Sequence, residues 1–336
     1  MITLGIETSC DETAVAVVED GFTVRANLIA AQVHLHERFG GVVPEVAARA
    51  HVEALNPLMA ETLEAAGLSG FGQIDGVAVT VGPGLVGALL VGMAAAKSVA
   101  LATGADLIGV HHLEGHIWAN FLTHGPPQPP YVALVVSGGH TMIVHMPDVH
   151  RHEVMGQTLD DAAGEAFDKV ARMIGLGFPG GPALDLMARD GDPEAIAFPR
   201  AMEDSGDFNF SMSGLKTAVL RYLKAERAAG RDIHQPDVAA SFQEAIVDVQ
   251  VRKTIEAAQQ VGVDTVLLGG GVVANTRLRE RMKHEGSAAG LRVLFPPLDL
   301  CTDNAAMIAC VGAARLIRGE RTSLDIGADP NLGLGS

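Results

Sequence analysis

ITLGIETSCDETAVAVV, at residues 2–18, has the pattern of a β-hairpin, because two apolar strand segments flank a short polar loop. VALVVSGGHTMIVHM, at residues 132–146, repeats this order of strand, polar loop and strand. The repeat suggests a duplicated architecture in which each half presents hydroxyl and backbone N–H groups at a turn. Two such turns could hold a phosphate, whereas the simpler alternative is a pair of unrelated hairpins.

Strand and helix patterns alternate along the rest of the chain, which predicts an α/β fold with some antiparallel hairpins. With 336 residues the chain is long enough for two domains. Its longest apolar stretch, Leu85–Ala96, ends at Lys97 and is too short to span a bilayer, so it predicts a buried helix. The final segment, Gly327–Ser336, has little to bury and is expected to be loose.

The charge balance and the cysteine content limit the classes of function. Lys and Arg total 24 and Asp and Glu total 40, which gives 24 − 40 = −16. Nucleic-acid binders usually carry a basic face, and 4% aromatic residues are too few for a base-stacking sheet, so composition alone disfavours RNA binding. Three cysteines and no basic N-terminal region predict a protein of the reducing cytoplasm without a membrane segment.

A candidate metal site begins at His112 and His116, which follow a strand pattern and lie four residues apart at the start of a helix pattern. Residues at this spacing share a helix face, so both imidazoles could bind one ion, although a structural role is the alternative. Zinc proteases have glutamate where this chain has Leu113, which excludes that chemistry. Asp303 could complete a set of two histidines and one carboxylate, which suits Fe²⁺ and also Zn²⁺, or it could cap a helix.

Glycine-rich turns supply candidate ligand sites. Gly82–Gly87 matches G-x-G-x-x-G, but Asp106 precedes the strand that it should end, so a nicotinamide site is not favoured. The glycines at 269–271 lie between a strand and a basic helix, where they could admit a ligand or form an ordinary tight turn. Asp168 and Asp185 flank the stretch PGGP, and either carboxylate could accept hydrogen bonds from a ribose diol.

Ten segments occur in the same order in the bacterial tRNA adenosine threonylcarbamoyltransferases, formerly called glycoproteases, which the chain resembles over nearly its whole length. They are LGIETSCDET (4–13), GGVVPE (40–45), GPGLVGALLVG (82–92), HHLEGH (111–116), VSGGHT (136–141), DDAAGEAFDK (160–169), FPGGP (178–182), SGLKT (213–217), GGGVVAN (269–275) and CTDNAAMIA (301–309). This family belongs to the actin-like ATPase (ASKHA) superfamily, together with hexokinase and the Hsp70 chaperones.

The resemblance implies a duplicated two-lobe actin-like α/β fold with mixed sheets and a cleft between the lobes. Lobe I would comprise residues 1–117 and 299–336, and lobe II residues 118–298. His112, His116 and Asp303 match the family's metal ligands, usually for iron. Asp11 and Glu12 match acidic residues of the first loop that are candidates for catalysis. The matching nucleotide-substrate positions are Val135, Val136, Ser137, Gly138, Gly139, Asp168, Gly181, Asp185 and Asn275.

The implied reaction transfers the threonylcarbamoyl group from threonylcarbamoyl-AMP to the exocyclic amine of the tRNA adenosine next to the anticodon and releases AMP. The implied partners are tRNA, a homologous non-catalytic subunit and a small ATPase subunit, with no membrane. An ATP-dependent small-molecule kinase of the same superfamily is the alternative. Its fold needs a magnesium site at the phosphates and no imidazoles, so the histidine pair and Asp303 count against it.

Two basic segments modify the expectation, drawn from the net charge, that the chain does not bind RNA. Gly214–Arg231 carries five cations, Lys216, Arg221, Lys224, Arg227 and Arg231, against Glu226, so 5 − 1 = +4. Arg277–His284 carries four, Arg277, Arg279, Arg281 and Lys283, against Glu280, so 4 − 1 = +3. Both have helix patterns and are predicted to meet tRNA phosphates. The acidic remainder predicts weak, salt-sensitive tRNA binding without partner subunits.

Overall fold

The computed structural model describes residues 1–335, which form two compact units. The first unit comprises Met1–Pro127 and Pro296–Leu334, so the chain leaves it and later returns. The second unit comprises Gln128–Phe295 and also takes in Gly335.

The described residues form ten strands and eleven α-helices. The strands are β1 Ile2–Glu7, β2 Glu12–Glu19, β3 Thr23–Ala31, β4 Gly76–Gly82, β5 Asp106–His111, β6 Tyr131–Val136, β7 Thr141–Asp148, β8 Arg151–Gln157, β9 Thr265–Gly269 and β10 Arg292–Leu294. The helices are α1 Val33–His36, α2 Pro44–Ala65, α3 Val86–Thr103, α4 His112–Trp118, α5 Phe121–His124, α6 Ala163–Met173, α7 Gly180–Ala188, α8 Ser213–Ala228, α9 Gln235–Val261, α10 Thr276–Ala288 and α11 Ala305–Ile317.

The sheet of the first unit has the order β3-β2-β1-β4-β5. β1 pairs antiparallel with β2 and parallel with β4, so the sheet is mixed. Leu4 and Ile6 belong to the apolar core that also contains residues of α2 and α3. Gly5 points to the opposite face, where a Cβ atom would lie 2.3 Å from the carbonyl oxygen of Ala305 at the start of α11. Glycine is therefore required there for α11 to pack against β1.

The sheet of the second unit has the order β10-β9-β6-β7-β8 and repeats the pattern of the first. β6 pairs antiparallel with β7 and parallel with β9, as β1 does with β2 and β4. The two hairpins noted in the sequence thus occupy equivalent places in two sheets of the same topology. The predicted duplicated α/β architecture with mixed sheets is confirmed, and the alternative of two unrelated hairpins is wrong.

Helix α3 extends the predicted apolar helix to 18 residues, and by length and composition it could cross a membrane. One such helix is weak evidence for a membrane protein, because core helices pass the same test. One side of α3 is buried in the first unit, through Ala88, Leu89, Met93 and Ala96 among others. The helix therefore packs as a core helix on that side.

The expectation of a loose C-terminal tail is wrong for the residues up to Gly335. Lys97 Nζ donates to the carbonyl oxygen of Ile326 at 2.6 Å, and Asp329 N donates to that of Val81 at 2.8 Å. A Cβ atom at Gly82 would lie 1.9 Å from the carbonyl oxygen of Asp329, so the tail lies directly on the glycine turn. Polar backbone groups at the end of β4 need partners, and the tail supplies one to Val81.

Candidate functional site

Three predicted metal ligands come together in the first unit. His112 and His116 lie one turn apart on α4, which begins where β5 ends, and Asp303 lies just before α11. Asp303 Oδ1 is 3.2 Å from His116 Nε2 and 3.5 Å from His112 Nε2. One ligand atom from each residue lies within 4.8 Å of the other two. The helical spacing and the chain's return to the first unit thus bring two nitrogens and one oxygen to one point.

The chemistry of this cluster fits a divalent metal ion. His116 is fully buried, and neither of its ring nitrogens makes a hydrogen bond to the described residues. Its Nε2 is close to Asp303 Oδ1, but the geometry is not that of a hydrogen bond. A buried imidazole without a partner is costly, and a shared ion would satisfy it. Two imidazoles with one carboxylate suit Fe²⁺ or Zn²⁺.

The alternative role of Asp303 as a helix cap is wrong. The N-cap of α11 is the neighbouring residue, Asn304, whose Oδ1 accepts a hydrogen bond from the backbone N–H of Met307 at 3.0 Å. Asn304 is fully buried, and its Nδ2 donates to the carbonyl oxygen of Thr302 at 2.8 Å. The amide therefore fixes both the helix end and the loop before it, which leaves the carboxylate of Asp303 to the histidines.

Glu7, at the end of β1, supports the site from behind and was missed by the sequence analysis. Its Oε2 lies 3.1 Å from His112 Nδ1 and accepts a hydrogen bond from Thr80 Oγ1 at 2.5 Å. Its Oε1 accepts one from the backbone N–H of Ser9 at 2.5 Å. A carboxylate in this position holds the proton of His112 on Nδ1, so that Nε2 presents its lone pair to an ion. The sequence did offer one signal for this role, because Glu7 is a charged residue at the end of an otherwise apolar strand pattern.

The charges around His112 alter its protonation. Burial lowers the pKa of His112, but the charges of Asp303 and Glu7 outweigh that effect and raise the pKa to about 9. Burial likewise raises the pKa of Glu7, but the attraction of His112 and the hydrogen bonds hold it below its usual range. Without an ion, His112 is therefore protonated at neutral pH and paired with two carboxylates.

Of the two predicted acidic residues of the first loop, Asp11 and Glu12, the second is close enough to the metal-ligand cluster to be affected by its charge. Asp11 is buried, and Glu12 begins β2. Burial, with the charges of Asp303 and Asp11, raises the pKa of Glu12 to about 10. Glu12 therefore keeps its proton at neutral pH until a cation reaches the cluster.

A buried polar network holds this acidic loop against α2. His51 Nε2 lies 3.0 Å from the carbonyl oxygen of Cys10, and His51 Nδ1 lies 2.8 Å from Thr13 Oγ1. Gln32 Nε2 is 3.2 Å from the same Nδ1, and its backbone N–H donates to the carbonyl oxygen of Asp11. Burial lowers the pKa of His51, which favours the neutral ring that such a network needs. The loop is thus anchored at both ends.

In the second unit, the strand β6 places Val135 and Val136 in the core and ends at the turn Ser137–His140. The backbone N–H of Ser137 donates to the carbonyl oxygen of His140 at 2.8 Å, so it is used within the turn. Gly138 and Gly139 are exposed, and their N–H groups make no hydrogen bond to the part of the chain that the structure describes. Only these two amides of the turn are available to a ligand.

The other predicted nucleotide residues lie at two places in the second unit, where hydrogen bonds hold the two carboxylates. Asp168 Oδ1 accepts hydrogen bonds from the N–H groups of Gly180 and Gly181, at 2.7 and 3.2 Å, and so closes the start of α7. Asp185 accepts from Thr276 Oγ1 at 2.9 Å, directly after Asn275. Both carboxylates thus already hold the chain in place, which the sequence pattern did not indicate.

Asp185 lines a depression in the second unit, and Asn275 directly precedes Thr276, another of its lining residues. Asn275 Oδ1 caps α10 by accepting from the N–H of Leu278 at 2.9 Å, and its Nδ2 donates to Gln243 Oε1 at 2.7 Å. The depression has a volume of about 480 Å³ and is lined by Asp185, Gln243, Thr276 and Arg277, among others. Its walls offer carboxylate, amide, hydroxyl and guanidinium groups, which are suited to a polar ligand.

Comparisons with known proteins give the relatives of this chain. The TsaD family profile, described as tRNA N6-adenosine threonylcarbamoyltransferase, matches residues 23–310. A protein of that name from Clostridium botulinum (strain 657 / Type Ba4) is 54% identical over 332 residues, which cover 99% of this chain and 97% of that protein. One from Moorella thermoacetica is 54% identical over 331 residues, 98% of this chain and 96% of that protein.

Solved structures share the fold at low sequence identity. Component A of (R)-2-hydroxyglutaryl-CoA dehydratase from Acidaminococcus fermentans aligns with a TM-score of 0.57 at 16% identity, over 94% of this chain and 99% of that chain. The ROK hexokinase from Thermus thermophilus aligns with a TM-score of 0.51 at 14% identity, over 95% and 100%. This chain therefore shares its fold with both structures.

Proposed function

The chain belongs to the family of tRNA N6-adenosine threonylcarbamoyltransferases, and from this we propose that it transfers the threonylcarbamoyl group of threonylcarbamoyl-AMP to the exocyclic amine of the tRNA adenosine next to the anticodon, releasing AMP. The observation that carries the proposal is the family match over residues 23–310, joined by near-full-length identity of 54% to two relatives. The convergence of His112, His116 and Asp303 agrees with it. An ATP-dependent kinase is not favoured.

The chemistry is an acyl transfer in which a weak aromatic amine attacks a carbonyl carbon and AMP leaves. Activation must therefore act mainly on the carbonyl group and on the positions of the reactants. A divalent ion held by His112, His116 and Asp303 would supply a Lewis acid for the carboxylate or carbonyl oxygen of the threonylcarbamoyl group. We assign Fe²⁺ as the resident ion, because the donor set suits it, with Zn²⁺ as the competing identity.

The chain's own residues then have separate tasks. Glu7 orients His112, and the amides of Gly138 and Gly139 are placed to stabilise negative charge on a bound ligand. We assign Asp168, Gly181, Asp185 and Asn275 to the nucleotide part of the substrate, since Asp185 lines a polar depression and Asn275 directly precedes Thr276, which also lines it. The transferred amine loses one proton, and we propose the loop pair Asp11 and Glu12 for its uptake, with Asp11 as the acceptor and Glu12 as its hydrogen-bonded neighbour.

The proposed partner subunit has a matching surface on the first unit. Val52 of α2 and Val86, Leu90 and Leu101 of α3 are exposed by 53 to 74%, and α2 and α3 pack against each other. A homologous subunit would carry the same pair of helices, so like helices could pair across a pseudo-twofold axis and bury both apolar faces. We therefore assign this face to the homologous non-catalytic subunit. No surface is assigned to the small ATPase subunit.

We also propose that the chain works in the cytoplasm. Its three cysteines form no disulfide, and two of them, Cys301 and Cys310, are buried. Burial raises the pKa of the Cys310 thiol well above its usual value, so that cysteine is unreactive. Free, inert cysteines fit a reducing compartment, which is also where tRNA is found.

The test combines the metal-replete chain, the partner subunits, tRNA and threonylcarbamoyl-AMP. We expect modified adenosine and AMP in equal amounts, and loss of both with His116→Ala. Metal analysis of the purified chain identifies the ion, with His116→Ala as the empty-site control. No transfer by the metal-replete chain would refute the proposal, and phosphate transfer from ATP to a small molecule would support the kinase. Leu90→Glu should abolish binding of the homologous subunit without changing the metal content.

A further inference from the structure

Cations that are not bonded to a carboxylate are the ones free to bind the phosphates of tRNA. Two basic helices, α8 and α10, were predicted to meet tRNA phosphates. On α10, Arg277 makes two hydrogen bonds to Glu244 of α9, at 2.7 and 2.8 Å. Arg281 is bonded to Glu244, to Asp248 at 2.7 Å and to Glu285. These arginines join α10 to α9.

The other two cations of α10 differ from each other. The guanidinium of Arg279 lies 4.7 Å from the centre of the Phe295 ring, and its NH1 group donates to the carbonyl oxygen of Val273. Lys283 is exposed and forms no ion pair within the described residues 1–335. Because Arg277 and Arg281 are bonded to carboxylates of α9, the positive charge that α10 can offer to a phosphate is smaller than its sequence predicted.

Helix α8 is different. Its outlying cations are paired, because Lys216 is bonded to Asp161 and Arg231, just beyond the helix, is bonded to Glu226 at 2.6 Å. Arg221, Lys224 and Arg227 are exposed and form no ion pair within the described residues 1–335. We call these three residues the α8 stripe. It carries a charge of +3 that nothing in the described chain cancels.

The α8 stripe lies on a well-anchored helix. Leu215, Val219 and Leu223 bury the opposite side of α8. At its start, Asp160 accepts hydrogen bonds from the N–H groups of Met212 and Ser213, at 2.7 and 3.3 Å. Residues three apart lie close together on a helix surface, so the three cations follow one side over about 9 Å of axis. A fixed row of cations binds with little loss of backbone freedom.

We propose that the α8 stripe binds the phosphodiester backbone of tRNA and that α10 does not. The inference rests on the proposed function, which makes a polyanion the substrate of an acidic chain. A row of long cationic side chains without carboxylates matches successive phosphates. The stripe therefore contributes affinity and orientation through the backbone of the nucleic acid.

The test is the triple variant Arg221→Gln, Lys224→Gln, Arg227→Gln in the complete transfer assay, with the KM for tRNA measured between 0.05 and 0.3 M salt. Each lost phosphate contact reduces the slope of log affinity against log salt by about 0.7 to 0.9, so the triple variant should lose about 2 to 3. Because this contribution vanishes near 1 M salt, we expect a KM about 100-fold higher at 0.1 M salt. The kcat at saturating tRNA should be unchanged.

The matched control is Arg49→Gln, Lys283→Gln, Arg292→Gln, which removes three exposed, unpaired cations from scattered positions. It changes the net charge equally and should leave the salt slope nearly unchanged. An unaltered KM in the α8 variant, or an equal change in both variants, overturns the proposal. So does loss of subunit binding with a normal KM for tRNA, which would make the stripe a protein contact. Absence of transfer by the unmodified chain would instead refute the proposed function.

Discussion

Replacing Glu7 by glutamine should weaken metal binding. Glu7 contacts Nδ1 of His112 and not the Nε2 atom that would face the ion, so its effect is indirect. The side chain keeps its shape and loses its charge. Its two oxygens receive three groups: the Nδ1 of His112, the hydroxyl of Thr80 and the N–H of Ser9. Glutamine has one acceptor oxygen, so its amide NH₂ must face at least one of these donors.

The expected loss of metal affinity and of stability follows from these three contacts. Loss of a carboxylate behind a ligating histidine lowers metal affinity by about 10- to 100-fold, which corresponds to about 1.4 to 2.8 kcal/mol. A buried donor left without an acceptor costs about 1 to 3 kcal/mol, so the free energy of unfolding of the metal-free chain should fall by a similar amount. Both effects arise because the orientation of His112 depends on Glu7.

The assay is competition for the metal against a chelator of known affinity, followed from pH 6 to 9. The pH series is needed because Glu7 also raises the pKa of His112, and its loss reduces the competition from protons. The matched control is Glu53→Gln, at an exposed position of α2. An unchanged metal affinity at pH 8 in Glu7→Gln would refute the assignment of Glu7 as the residue that orients His112.

Three further predictions concern the same unit. His112, with a pKa of about 9, must lose a proton before an ion binds. Metal affinity should therefore rise by up to about tenfold per pH unit between pH 6 and 8. A metal affinity, measured by calorimetry, that does not change with pH would contradict this. Asp303→Ala should abolish metal binding, whereas Asn304→Ala should mainly lower the free energy of unfolding, by about 1 kcal/mol, through loss of the α11 cap; equal metal loss in both variants would argue against separate roles. Since the pKa of Glu12 is raised to about 10, the folded metal-free chain binds more protons than the unfolded chain above pH 4.5, and its stability should fall as pH rises toward 10. Glu12→Gln should flatten that fall in thermal unfolding curves, and an unchanged pH dependence would remove Glu12 as its cause.

Local patterns predicted the parts of the molecule that depend on neighbouring residues. The hairpin at residues 2–18 and its repeat predicted two equivalent sheets, because strand alternation is visible in the sequence itself. The spacing of His112 and His116 predicted a shared helix face for the same reason. The structure brings both histidines and Asp303 together as that spacing and the family resemblance implied.

What the sequence could not show depends on contacts between distant residues. The positive charge of α10 was summed over its own residues, and Glu244 and Asp248, which bond two of its arginines, lie more than 30 positions earlier. Glu7 and His112 are 105 residues apart, so no local pattern connects them. The C-terminal tail was judged by its composition, but its backbone bonds to the end of β4 and to the turn that follows it. In each case a partner far along the chain determined the result.

The first unit is divided between the two ends of the chain, and this has a consequence for biosynthesis. α11 packs on β1 across Gly5, and Asp303 lies just before α11, yet both are made only after the whole second unit. As the chain leaves the ribosome, residues 128–295 are complete before the first sheet receives one of its covering helices. The metal ligands therefore cannot assemble on a nascent chain that still lacks its last 40 or so residues. A chain that ends before Asp303 therefore lacks one of the three ligands, and a chain that ends before α11 lacks a covering helix of the first sheet.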